Sequence, residues 1–154
     1  MTRRAPAGIY YLNTPIHETD TAVELLASAT RVAAGTGVEV TDDLIEEASA
    51  LQLVLNVSLA TTPTTPLVVE IQAKVGTLWY TLARFDNLSA AAIKLIPVKR
   101  GIGSSSAIAY DVAVDPAVGS GIVNNQLAEW GSTLRVKWGM TGSYTFSVTA
   151  YPIR

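Results

Sequence analysis

The chain's single histidine, His17, is the first place to look for acid–base chemistry. It sits between Ile16 and Glu18 in a stretch broken by Pro6, Gly8 and Pro15, whereas a catalytic base must be fixed on a rigid scaffold beside a nucleophile. One histidine and no cysteine exclude a zinc site, a disulfide scaffold and a cysteine nucleophile together. The carboxylates Asp42, Asp43, Glu46 and Glu47 could offer oxygen to a hard cation. They match no loop of fixed ligand spacing, so a solvated acidic face is the simpler reading, and Asp111 with Asp115 is equally unspecific. Gly101–Ser106 is glycine-rich but lacks the Gly-Lys-Ser/Thr ending that cradles phosphate. Lys99-Arg100 and Arg135 with Lys137 are basic pairs in a chain of net charge −2, too little for a nucleic-acid footprint. Trp79, Tyr80, Trp130, Trp138, Tyr144 and Tyr151 could stack on sugar rings, though aromatics on strands more often pack the core or pair across strands. The expectation is a domain with no enzymatic activity, no metal and no cofactor, and with neither nucleic acid nor a small molecule as its ligand.

The elements around these residues read as strands. Leu51, Leu53, Leu55, Val57 and Leu59 alternate with Gln52, Val54, Asn56 and Ser58, the period of a half-buried strand. Thr61–Pro66 reads as a turn whose two prolines forbid a continuous ladder. Leu67, Val69, Ile71, Ala73 and Val75 give the next inward face, with Glu70, Gln72 and Lys74 outward. Gly76-Thr77 is a tight hairpin signal leading into a strand over 78–85, and 92–98 is another short apolar strand. Residues 99–125 are the loosest sequence, with a strand expected over 108–114. Leu134, Val136, Trp138 and Met140 then alternate with Arg135 and Lys137, Gly139–Ser143 turns, and Tyr144, Phe146, Val148 and Ala150 line a last strand.

Upstream, residues 21–34 fit either a helix, through the capping box Thr21-x-x-Glu24, or a strand, and we favour the strand. A short strand Val38–Val40 and one helical turn over 42–47 follow. Residues 1–21 read as an extended N-terminal arm, blocked from regular structure yet too apolar for a free tail. About eight short strands spaced in this way predict an all-β domain over residues 22–154, a two-sheet β-sandwich of jelly-roll type, with the arm in front.

Composition adds two constraints. Charged residues are 16% of the chain against the usual ~25%, which favours association through uncharged surface. The charge is also segregated, with eight acidic residues against Arg31 alone between Glu18 and Glu47, and eight basic against five acidic from Glu70 onward. Such segregation can orient a head-to-tail contact between copies or form two solvated faces. No apolar run is long enough for a membrane helix, and Met1–Pro6 carries a basic pair without the apolar run of a signal peptide. A protein made in the cytoplasm, with no membrane partner, is expected.

The hairpins Val69–Phe85, with Trp79, Leu82 and Phe85, and Leu134–Val148, with Arg135, Trp138, Gly142, Phe146 and Val148, resemble the small structural proteins of tailed-bacteriophage particles, capsid decoration (cement) proteins among them. The likeness covers roughly residues 50–152. It implies a homotrimeric virion protein on the capsid surface that binds the major capsid protein and clamps neighbouring subunits. The arm residues Arg3, Arg4, Ile9, Tyr10, Tyr11 and Leu12 are then the natural partner contacts, the arginines facing carboxylates and the apolar side chains acting as anchors. A tail or fibre module of a virion and a carbohydrate-binding sandwich are the alternatives.

Overall fold

A computed structural model describes residues 22–101, 114–119 and 129–154. The strands are β1 (Val23–Arg31), β2 (Gly35–Thr36), β3 (Val40–Thr41), β4 (Ala50–Val75), β5 (Leu78–Leu88), β6 (Ala92–Lys99) and β7 (Thr133–Ile153). The one helix among the described residues is α1 (Asp43–Glu47), a single turn capped by the Asp42 side chain accepting from the Leu44 amide. The chain is all-β, as the alternation predicts. The ambiguous segment after residue 21 is a strand. The expected arm and most of the expected 108–114 strand lie outside the described residues.

The seven strands belong to one antiparallel hydrogen-bonded sheet, not to two separate ones. Its spine is the pairing of β4 with β7, from Ala50 opposite Ile153 to Ala73 opposite Leu134. Sequence reasoning divides each of these strands at a turn, and the structure corrects both divisions. A straight 26-residue strand would run about 85 Å, roughly twice the width of a compact domain this size, so it has to bend. The bend falls where the turns were expected. The β4–β7 register shifts between Val57 and Leu59, between Thr61 and Thr65, and between Thr65 and Val68. Thr62 has φ 48° and Gly142 has φ 121°, and they lie beside the paired residues Thr61 and Ser143. Thr61–Pro66 and Gly139–Ser143 therefore act as corners within continuous strands, in the way bulges turn a sheet over on itself.

The bend divides the sheet into two halves. In the first, the strand order is β6, β4 (50–57), β7 (144–153), β1. In the second it is β5, β4 (67–75), β7 (133–139), with β2 and β3 on the far edge. The inward rows of both halves, Leu51, Leu53, Leu55, Val57 and Leu67, Val69, Ile71, Ala73, join one hydrophobic cluster with Ile45, Tyr144, Phe146 and Val148. The Val57/Leu59 register shift turns Leu59 out of that row, and Val75 at the hairpin is exposed as well. The hairpin itself is as expected, a two-residue Gly76-Thr77 loop with Gly76 at φ 62°.

Candidate functional site

The outward rows of the second half carry Glu70, Gln72, Arg84, Arg135 and Lys137, of which sequence reasoning places Glu70 and Gln72 outward. Glu70 is 0% exposed, and Gln72 is just as deeply buried. The reason is chain from elsewhere: residues 114–119 lie over this face. The Glu70 carboxylate accepts from Arg84 Nε at 2.8 Å, Thr81 Oγ1 at 3.0 Å, Gln72 Nε2 at 3.4 Å and the Gly119 amide. Gln72 Oε1 in turn accepts from Arg135 Nε at 2.7 Å. Arg135 continues to Asp115 at 3.2 Å, and Asp115 accepts from Lys137 Nζ at 2.7 Å. Lys137 also donates to the Pro116 carbonyl. Trp79 completes the face, covered by the Arg135 guanidinium 4.1 Å from its ring centroid and by Lys74 at 5.5 Å.

This cluster binds the protein to itself. A carboxylate holding four donors has no lone pair directed at a substrate, and each buried charge is paired, as low-dielectric burial requires. Lys137 beside Asp115 holds that carboxyl below its ordinary range, chiefly by hydrogen bonding and then by charge, with Arg135 adding a smaller effect. The polar face is therefore a clasp that holds the 114–119 segment against the sheet. Ala117 and Val118, with Ala34, Gly35, Trp138 and Gly139, line a shallow, mainly apolar hollow of about 370 Å³ at its side.

A second clasp closes the α1 end. Arg100 donates to the carbonyls of Ala48, Glu46 and Trp130, and lies 4.1 Å over the Trp130 ring. Trp130 Nε1 donates to the Ile45 carbonyl at 2.7 Å. Tyr80 nearby has a buried hydroxyl with no hydrogen-bond partner among the described residues. Burial, with the Glu129 charge adding to it and Arg100 opposing it, pushes that phenol up to about 12. A third arginine, Arg31, donates to the carbonyls of Ala27, Ala29 and Phe146 and stacks over Trp138 and Phe146 at 5.0 and 4.7 Å.

The outward face of the first half is different. Its rows are Gln52, Val54, Asn56, Ser58 and Leu59 on β4, Ile93, Leu95 and Pro97 on β6, and Thr145, Ser147, Thr149 and Tyr151 on β7. None is charged. Ile93 is 71% exposed, Leu95 54% and Leu59 55%, so no described segment covers the apolar side of this face.

The residues singled out from sequence divide accordingly. Leu82, Phe85, Phe146 and Val148 are core. Trp79 and Arg135 are buried too, packed on each other on the outward face and outside the main hydrophobic cluster. Trp138 is buried at the core's edge, meets Phe146 edge-on at 5.8 Å, and donates Nε1 to the Ala33 carbonyl. Gly142, at φ 121°, stands at a corner of β7. The arm contacts Arg3, Arg4, Ile9, Tyr10, Tyr11 and Leu12, together with His17, lie outside the described residues. Among the described residues, no three His, Cys, Asp or Glu side chains are grouped to hold a metal ion, and no helix is long and apolar enough to cross a membrane.

Sequence reasoning missed Glu70, Gln72, Thr81, Arg84 and Asp115 as a unit. A signal was there: Glu70 on one outward row lies between Arg84 and Lys137 on its neighbours, the pattern of cross-strand ion pairing.

No family model matches the chain, and no curated protein matches it either.

Proposed function

We propose that the protein is a structural component of a bacteriophage particle, a decoration protein that binds the outside of the head and ties neighbouring capsid subunits together. The observation that supports this reading best is the division of the sheet's outer surface. The charged groups past the bend are consumed in clasping the chain's own 114–119 segment, while a partly apolar face with an uncharged centre is left in solvent. Charge depletion with exposed aliphatic side chains is the composition of an interface centre. On this reading the protein works by mass action on many contacts, with no catalytic group, metal or cofactor. Its partners are the major capsid protein and further copies of itself, as a homotrimer, with Arg3, Arg4, Ile9, Tyr10, Tyr11 and Leu12 reaching the neighbours.

The test is made on particles from a culture carrying the gene. Cryo-electron microscopy should place the protein in regular copies on the head surface, and heads lacking it should release their contents at lower temperature. Absence from purified particles would end the proposal, and density confined to the tail would favour the tail or fibre reading. A carbohydrate-binding role has less support, because Trp79, Trp130, Trp138 and Tyr144 are all buried, which leaves the half-buried Tyr151 as the aromatic of that set on the open face.

A further inference from the structure

We infer that the uncharged face of the first half, centred on Val54, Ile93 and Leu95, is where a second copy of this chain docks. This deepens the self-association within the proposed function and rests on it. Three observations select this surface and this occupant.

The first is what guards the sheet's two edges in this half. The β1 edge is disrupted by register shifts between Glu24 and Leu26 and between Leu26 and Ala29, and the Arg31 guanidinium occupies the Ala27 and Ala29 carbonyls. By contrast β6 pairs with β4 through eight consecutive residues without a shift, from Ala50–Lys99 to Val57–Ala92. It is straight, and its other side has no partner strand among the described residues. Lys94, on the row facing the core, and Pro97 block strand addition at that edge. Contact is therefore directed to the face and not to the edge.

The second observation is charge. The centre of the face, on three adjacent strands, offers no ionic partner, and its charges, Lys99 and Glu24, stand at opposite margins. A charged surface brought against them would bury its charges unpaired, which is costly. The same face on another copy meets this one with no charge to strand, and it is present at equal concentration by definition. Pairing of like surfaces is two-fold, so this contact joins copies of neighbouring trimers and is separate from the interface within a trimer.

The third is size. Three strands at about 4.8 Å and eight residues at about 3.3 Å give roughly 350 Å² of face in projection. With the relief of the side chains, two copies cover on the order of 1,000 Å², where specific interfaces begin.

The experiment is sedimentation velocity on the purified full chain over a concentration series. It compares the natural sequence with Leu95→Lys, Ile93→Lys and the control Val38→Lys, which charges a residue 78% exposed outside this face. Circular dichroism melting checks that each variant folds. The natural chain and Val38→Lys should assemble alike, and Leu95→Lys and Ile93→Lys should weaken assembly by roughly tenfold or more. If the natural chain assembles and both face variants assemble equally well, the inference fails while self-association stands. If the natural chain is monomeric at tens of micromolar, the inference and the self-association reading fail together, and attachment to the head is decided separately on particles.

Discussion

The two halves of the sheet share strands β4 and β7 and a single core, yet their outward faces have opposite chemistry. Past the bend, Glu70, Gln72, Arg84, Arg135 and Lys137 are roofed by residues 114–119 and paired almost throughout. Before the bend, the equivalent rows are Gln52, Val54 and Asn56 with Ile93 and Leu95, uncharged and open. Polarity alone therefore misleads about exposure. The charged face is the buried one because its groups satisfy each other, and the apolar face is the open one because nothing in the described chain has been built to cover it. What distinguishes them is whether each group has a partner within the chain.

The strongest way to break this comparison is to remove the centre of the polar clasp. Glu70→Ala leaves Arg84 and Thr81 without their acceptor and unties the Gly119 amide. We expect a loss of about 3–5 kcal/mol, the usual cost of breaking a buried pair, seen as a fall in melting temperature of roughly 10 °C. Proteolysis should then cut first near residues 114–119. An unchanged melting temperature would mean that the clasp is ornamental.

Gly35→Ala is the next largest. A Cβ there would lie 2.6 Å from the Trp138 ring, which cannot yield easily because Ala33 and Arg31 hold it from either side. The expected cost is about 1–3 kcal/mol by urea unfolding, the range of overpacked cores.

Tyr80→Phe sharpens the comparison within the second half, setting an unsatisfied buried group against the satisfied cluster. Deleting a hydroxyl that has no partner among the described residues should raise stability by roughly 1 kcal/mol. The pH dependence has a definite sign. The folded phenol titrates near 12 against an ordinary 10, so its contribution is whole below pH 10 and is lost as pH rises towards 12. Tyr80→Phe should flatten the alkaline limb of the stability curve, which thermal melts between pH 9 and 12 would reveal.

The smallest effect is expected from Asp115→Asn. The folded carboxyl lies below its ordinary 3.8, so its contribution is present above that value and fades as pH falls through the lowered one. Asp115 is solvent-facing, so the gap between variant and natural chain should be slight at pH 7 and should close in acid. Urea midpoints at the two pH values measure it.

The sequence carried the inward rows well, since Leu51–Val57 and Tyr144–Ala150 alternate against a hydrophobic core and period two is all that such a strand needs. It carried the bend only as a break. Prolines and glycines mark where a ladder fails, but whether the chain then reverses or merely turns a corner depends on the partner strand, which also bends at Gly142. Leu59 was misplaced for the same reason, because one register shift exchanges the faces. The clasp was illegible for a different reason. Glu70 and Gln72 look solvated from their neighbours, and what buries them arrives from Asp115–Gly119, more than forty residues away in the loosest sequence.

Amide hydrogen exchange at low and at high protein concentration separates a face completed by another copy from one completed by its own chain. If the open face of the first half is completed by another copy while the second half is completed by its own chain, amides of β6, Ala92–Lys99, should gain protection as concentration rises. Those of β5, Leu78–Leu88, should stay constant. Protection of β6 that is independent of concentration, or a change confined to β5, would contradict the account.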